Sequence, residues 1–220
     1  MNISLKNIVP QFLEKEKVQQ SGIWKQEHIF KKGEKIQIVA PSGSGKTSLV
    51  HFLYGLRKDY DGDVFIFNHL SIKTTKSIKE ISAPRLAKLR EMFVSIIFQD
   101  LRLFKDFTVL QNLEIKRLLA PYHQTSLINE MAERLGIANK LTQNAGTCSY
   151  GEQQRIAIIR ALQQPFDFII MDEPFSHLDE SNSKKAMQLI EEEAAKRGAG
   201  IILADLQPIP FFNADHIIHL

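Results

Sequence analysis

Apolar positions recur along the chain with two different periods. Ile3 and Leu5, followed by Ile8-Val9, predict an opening strand, and the alternation over residues 22–30 predicts a second one that leads into the turn Lys31-Lys32-Gly33-Glu34. Short apolar, largely β-branched runs at Ile36-Gln37-Ile38-Val39, Val94 to Phe98, Phe168 to Met171 and Ile201 to Ala204 read as buried strands of a parallel sheet. Between these runs the period becomes helical. Leu49, Phe52, Leu53 and Leu56 share one helix face that ends near residues 55–58, and Pro84 to Glu91 reads as a further helix. Thr108-Val109-Leu110-Gln111 is a capping-box start, Leu127 to Leu135 is a helix closed by Gly136, Glu152 to Leu162 is another, and Ser183 to Arg197 is stopped by Gly198. Tyr60-Asp61-Gly62-Asp63 reads as a turn before the short strand Val64 to Phe67, and Ser71 to Glu80 as a polar surface loop. Residues 101–147 contain no convincing strand, which makes them the candidate for a helical subdomain inserted into an α/β core.

Composition narrows the picture without choosing a function. The 220 residues, 44% hydrophobic and 24% charged, are enough for a sizeable core and argue against disorder. A net charge of +3 and a pI near 8.9 are too mild to point to nucleic acid. The single cysteine, Cys148, excludes an internal disulfide and fits a reducing cytoplasm, and the start Met-Asn-Ile-Ser-Leu-Lys-Asn carries no apolar secretion segment. The longest apolar runs are too short to cross a bilayer, so any membrane role is expected to come through another polypeptide.

Candidate chemistry concentrates first at Ala40-Pro41-Ser42-Gly43-Ser44-Gly45-Lys46-Thr47, between a predicted strand and the amphipathic stretch that begins at Ser48. A strand that stops in a Gly-Ser-Gly turn and restarts as a helix leaves backbone N–H groups converging on the space before the helix, where anions bind. Gly43 and Gly45 let the backbone curl around a phosphate, Lys46 can place its ammonium on the terminal phosphates of a nucleotide, and Thr47 offers a hydroxyl to Mg²⁺. Ala40 stands where the usual pattern has glycine. The second concentration is the buried run ending in Asp172-Glu173. A carboxylate at Asp172 suits an octahedral Mg²⁺ shell, and Glu173 would orient and deprotonate an attacking water.

Beyond these two motifs the sequence resembles the ATP-binding cassette family, the nucleotide-binding subunits of ABC transporters. Gln99 follows a strand as the family's Q-loop glutamine does. Cys148-Ser149-Tyr150-Gly151-Glu152-Gln153-Gln154-Arg155 stands where the Leu-Ser-Gly-Gly-Gln-Gln-Gln-Arg signature would, Ser176-His177-Leu178-Asp179 resembles the D-loop, and Arg155 to Leu162 continues the match. The resemblance implies an α/β P-loop NTPase fold with an antiparallel β portion near the N-terminus. The core would run over about 1–84 and 163–220, and the helical subdomain over about 85–162. It implies ATP and Mg²⁺ as ligands, with Gln99 beside the metal or the lytic water and Ser48 among the nucleotide contacts. Phe12 would stack on adenine, although a core or loop phenylalanine is an equally good reading. Ser149, Gly151 and Glu152 would meet the γ-phosphate held by a facing cassette, while Ser149-x-x-Glu152 is also an ordinary capping box, and both readings can hold together. The partners implied are an integral membrane permease and a second cassette, with no direct nucleic acid, and the location is peripheral on the cytoplasmic face of the cell membrane. The Leu103-Phe104 stretch before Thr108 looks most like exporter or lipoprotein-extraction subunits. A soluble ABC-type switch acting on nucleic acid or ribosomes is the alternative.

Two positions depart from the family pattern. Tyr150 replaces the first glycine of the signature, and Asp205 stands where the switch histidine should follow Ile201 to Ala204. A bulky ring at the first and a carboxylate near phosphate at the second are expected to slow hydrolysis by the chain alone or to call for an asymmetric pair.

Overall fold

The computed structural model describes residues 1–67, 76–124 and 126–220. In chain order the elements are β1 (Asn2–Pro10), α1 (Lys15–Gln20), β2 (Glu27–Lys31), β3 (Lys35–Val39), α2 (Lys46–Leu53), β4 (Tyr60–Phe67), α3 (Ala83–Met92) and β5 (Val94–Ile97). They continue with α4 (Val109–Leu119), α5 (Ser126–Arg134), α6 (Tyr150–Leu162), β6 (Phe168–Asp172), α7 (Glu180–Arg197), β7 (Gly200–Asp205) and β8 (His216–His219). The fold is α/β. A five-stranded parallel sheet has the order β5-β6-β7-β3-β8, and a separate antiparallel sheet has the order β2-β1-β4.

The parallel sheet is covered on both faces, which is why its strands read as continuous apolar runs. Ile169, Met171, Ile201 and Leu203 face a core built with α4 to α7, whereas Ile36, Ile38, Ile170, Ile202 and Ala204 face α2 and the antiparallel sheet. Register then decides what meets at the carboxyl ends of the strands. Val39 pairs with Asp205, and Asp172 with Ala204, so the ends of β3, β7 and β6 form one row. Ligands of open parallel sheets bind beyond such a row.

Several local expectations change. Residues 22–26 are a turn and β2 begins only at Glu27; the preceding helix α1 has no counterpart in the sequence reading. Tyr60 to Asp63 is not a turn but the start of β4, opposite a bulge in β1 between Lys6 and Val9. Gly62 takes φ +78° there, and a Cβ on it would lie 2.3 Å from the Asn7 carbonyl oxygen. Close backbone approach, rather than chain reversal, demands this glycine. Of the surface loop expected over 71–80, residues 71–75 lie outside the described residues and Ile78–Glu80 is a 3₁₀ turn. Among the described residues 101–147 hold α4 and α5 and no strand, and both predicted capping boxes, Thr108 with Gln111 and Ser149 with Glu152, are formed. β5, inside the stretch 85–162, joins the parallel sheet through β6.

Candidate functional site

The loop between β3 and α2 sits at one end of the row of strand termini. Gly43 and Gly45 take φ +76° and +96°, a left-handed geometry open to glycine at little cost, and Gly45 is the N-terminal cap of α2. Ala40 is buried and donates its N–H to the Asp205 carbonyl at 2.9 Å, which pins the loop to β7. Pro41, Ser42 and Gly43 are exposed at the tip, and the Ser44 hydroxyl donates to the Pro41 carbonyl at 2.8 Å. Lys46 is buried and its ammonium forms an ion pair with the Glu173 carboxylate. Glu173 follows β6 at φ +46°, a conformation that costs a non-glycine residue about 1 kcal/mol or more, and its N–H is held by the Ala204 carbonyl at 2.9 Å.

Asp172 is 1% exposed, and neither carboxylate oxygen has a hydrogen-bond partner of ordinary geometry. Burial pushes its pKa up; the Thr47 hydroxyl and the Lys46 ammonium oppose this, being near enough to favour the charged form without satisfying it. A buried, unpaired carboxylate beside a hydroxyl is the donor set a hard divalent cation requires, so the residues present fit Mg²⁺. Asp205 ends β7 with its carboxylate accepting the Leu206 N–H at 2.7 Å. Burial raises its pKa, the Leu206 bond opposes, and the Glu173 charge raises it further, which places Asp205 in the same electrostatic neighbourhood.

The signature residues stand at the start of α6. The Ser149 hydroxyl accepts the Glu152 N–H at 3.3 Å and the Glu152 carboxylate accepts the Ser149 N–H at 2.8 Å, so the capping-box reading is realised. The Ser149 amide holds the Glu152 carboxyl below its usual range. Tyr150 lies back along its own chain: its hydroxyl donates to the Gln99 carbonyl at 3.3 Å and its ring meets the His177 imidazole edge-on at 4.2 Å. Gly151 leaves room for the backbone of the next turn, since a Cβ there would sit 3.0 Å from the His177 carbonyl oxygen. Gln99 is exposed just beyond β5. Phe12, also exposed, follows β1.

Three supporting residues escaped the sequence reading. Trp24, buried beneath the loop, donates its indole N–H to the Ser44 carbonyl at 3.3 Å and lies 3.0 Å from where a Gly45 Cβ would be. Gln154, buried in α6, donates to the Glu173 carbonyl at 3.2 Å and accepts the His177 N–H at 3.0 Å, which ties α6 to the turn after β6. Arg160 donates to the carbonyls of Leu101 and Arg102, both at positive φ, and burial lowers its pKa to about 10, leaving it charged at neutral pH. An apolar residue over a glycine-rich loop carries no motif, so no signal singles out Trp24. Gln154 and Arg160 lie inside the matched signature stretch, but nothing local says what they reach.

A glycine-rich anion loop, a buried carboxylate ready for a cation and a second carboxylate next to it, paired with the loop lysine, define a P-loop nucleoside triphosphatase site. Residues 27–176 match the family model described as ABC transporter. The chain is 29% identical over 191 residues to the lipoprotein-releasing system ATP-binding protein LolD of Syntrophotalea carbinolica, covering 86% of this chain and 81% of that one. It is 33% identical over 196 residues to the macrolide export ATP-binding/permease protein MacB of Vibrio parahaemolyticus, covering 87% of this chain and 28% of that protein. Among solved structures, the dimeric post-hydrolysis state of the ATP-binding cassette MJ0796 bound to ADP and Pi superposes with a TM-score of 0.81 at 25% identity, over 99% of this chain and 94% of that one. The chain belongs to the ABC transporter family, as an ATP-binding, ATP-hydrolysing cassette. The alternative of a permease-free switch on nucleic acid or ribosomes is not favoured by these relatives. No helix among the described residues is long and apolar enough to cross a membrane.

Proposed function

We propose that this chain binds MgATP in the loop 40–48 and hydrolyses it at Glu173 to drive a membrane permease, working as one half of a pair of cassettes. The observation that carries the reading is the row formed by the loop, the unpaired Asp172 and the Lys46–Glu173 pair at the ends of β3 and β6. Loop N–H groups and Lys46 receive the phosphates, with Ser48 in the first turn of α2 beside them. Thr47 and Asp172 would hold Mg²⁺, with Gln99 as a further oxygen donor, and the ion when bound would supply charge stabilisation to the phosphates. Transfer of Lys46 onto phosphate releases Glu173, which accepts a proton from the water attacking the γ-phosphorus as the bond to the β-bridging oxygen breaks. The leaving oxygen's charge falls on the loop amides and Lys46.

The start of α6, where Ser149 is exposed and Gly151 and Glu152 are half-buried, faces the γ-phosphate of an opposed cassette, identical or different. Gln99 and the helices within 85–162 form the permease-facing side, so the chain sits peripherally on the cytoplasmic face of the cell membrane. Tyr150 and Asp205 make turnover of the isolated chain slow. Steady-state ATP hydrolysis tests this. Wild type is expected to turn over weakly, Glu173→Gln at least about 100-fold less, and the double variant Tyr150→Gly with Asp205→His about tenfold faster than wild type. Fast turnover by the unpaired wild-type chain, lost in Glu173→Gln, refutes the slow-enzyme part of the reading.

A further inference from the structure

One side chain outside every recognised motif reaches both ends of the nucleotide site. Arg57, four residues after the last residue of α2, donates through Nη1 to the Ser48 hydroxyl at 3.0 Å. Its Nε donates to Asp59 Oδ1 at 2.9 Å, and Nη2 pairs with the other oxygen of the same carboxylate. With its fork fixed on these two partners, the guanidinium lies 4.8 Å from the centroid of the Phe12 ring and 5.7 Å from that of the buried Phe52. Asp59 is itself tied to the segment carrying Phe12, because the Gln11 N–H donates to the Asp59 carbonyl at 3.2 Å.

We infer that Arg57 is a positioning residue for the base of the nucleotide: it holds the Phe12 ring as a platform at a set distance from the phosphate loop. Its backbone is fixed close after β1, but the ring is 53% exposed, so without a support the side chain would sample several rotamers. A guanidinium anchored to Ser48 occupies one face of the ring, which leaves the other face for a purine. Ser48 belongs to α2, whose N-terminus receives the phosphates, so one planar group sets the spacing between base and triphosphate. Lysine cannot replace it, because an ammonium cannot donate to Ser48 and Asp59 in a fork while lying flat on a ring.

This inference rests on reading Phe12 and residues 40–48 as two ends of one nucleotide site. The test is equilibrium binding of ATP and of inorganic tripolyphosphate, each with Mg²⁺, to the full chain and its variants. Lys46→Ala is expected to abolish binding of both ligands; ATP binding that survives it breaks the nucleotide reading itself. Phe12→Ala is expected to weaken ATP about tenfold, and Arg57→Ala about fivefold, while tripolyphosphate changes less than about twofold in either. The double variant should show about the tenfold loss of Phe12→Ala alone and not the product of the two, because the two residues act as one unit. Arg57→Lys should behave like Arg57→Ala. Equal losses for ATP and tripolyphosphate in Arg57→Ala, multiplicative losses in the double variant, or full recovery in Arg57→Lys would each overturn the inference while leaving the phosphate site intact.

Discussion

Replacing Asp172 by asparagine separates what the fold prefers from what the ligand requires. In the chain without nucleotide this carboxylate is 1% exposed with both oxygens lacking a hydrogen-bond partner, and an unsatisfied buried polar group of this kind costs about 1–3 kcal/mol. Asparagine keeps the shape and, although its amide stays unsatisfied, removes the additional cost of burying a charge, so the variant should gain roughly 1.5 kcal/mol, a modest figure because Lys46 and Thr47 already ease that charge. For a chain of this size each kcal/mol moves Tm by about 2–4 °C, so the ligand-free variant should melt about 3–6 °C higher at pH 7. The pH dependence has a definite sign. The folded pKa is raised, so the native state holds more protons than the unfolded state between the ordinary carboxylate value and the raised one, and stability falls as pH rises through that window. The gap between variant and wild type should therefore shrink as pH is lowered through the raised pKa and close near pH 4, where the unfolded carboxyl also protonates. With MgATP the order reverses: wild type is stabilised by ligand, and the variant loses the Mg²⁺-dependent part. Thermal unfolding by circular dichroism, with and without MgATP and MgCl₂, measures all of this. A lower Tm for the ligand-free variant at pH 7, or undiminished Mg²⁺-dependent stabilisation, refutes the reasoning.

Gln154→Leu should lower kcat about tenfold with little change in ATP affinity, because it frees the turn that aims Glu173 without touching the loop; a KM effect with unchanged kcat argues against this role. Gly62→Ala should cost roughly 2–3 kcal/mol, from a positive φ combined with a backbone clash, whereas Gly198→Ala, at φ +56° with nothing within 4 Å of the new methyl, should cost about 1 kcal/mol. Denaturant titration distinguishes the two, and equal losses would mean that the close approach to Asn7 is relieved by relaxation.

Much of the fold was legible because its signals are local. Short apolar runs bounded by turns, capping boxes at Thr108 and Ser149, and glycines after α5 and α7 each act within a few residues. The failures were non-local in origin. Gly62 in an acidic stretch has the chemistry of a turn, and only the bulge of β1 pressing against it makes it part of a strand. The antiparallel sheet joins strands far apart in the chain, as in the pairings of Asn2 with Phe67 and of Pro10 with Tyr60, and loop-closing contacts of that span leave no periodic trace.

For the site, the sequence by itself determined which groups are present: a glycine-rich loop with Lys46 and Thr47, paired carboxylates after a buried run, and a capped helix start at Ser149. Backbone conformational freedom and side-chain chemistry are properties of the residues and travel with them. Only the tertiary structure decided who faces whom. Register across β3, β7 and β6 brings Lys46 onto Glu173 and leaves Asp172 unpaired, and it sets Asp205 beside them. The folding back of residues 150 and 177 lays Tyr150 on its own chain, and a loop ten residues past the anion site puts Arg57 under Phe12. These juxtapositions depend on strand order and packing, which a single stretch of sequence does not encode, because the free energy that selects them is shared among residues far apart in the chain.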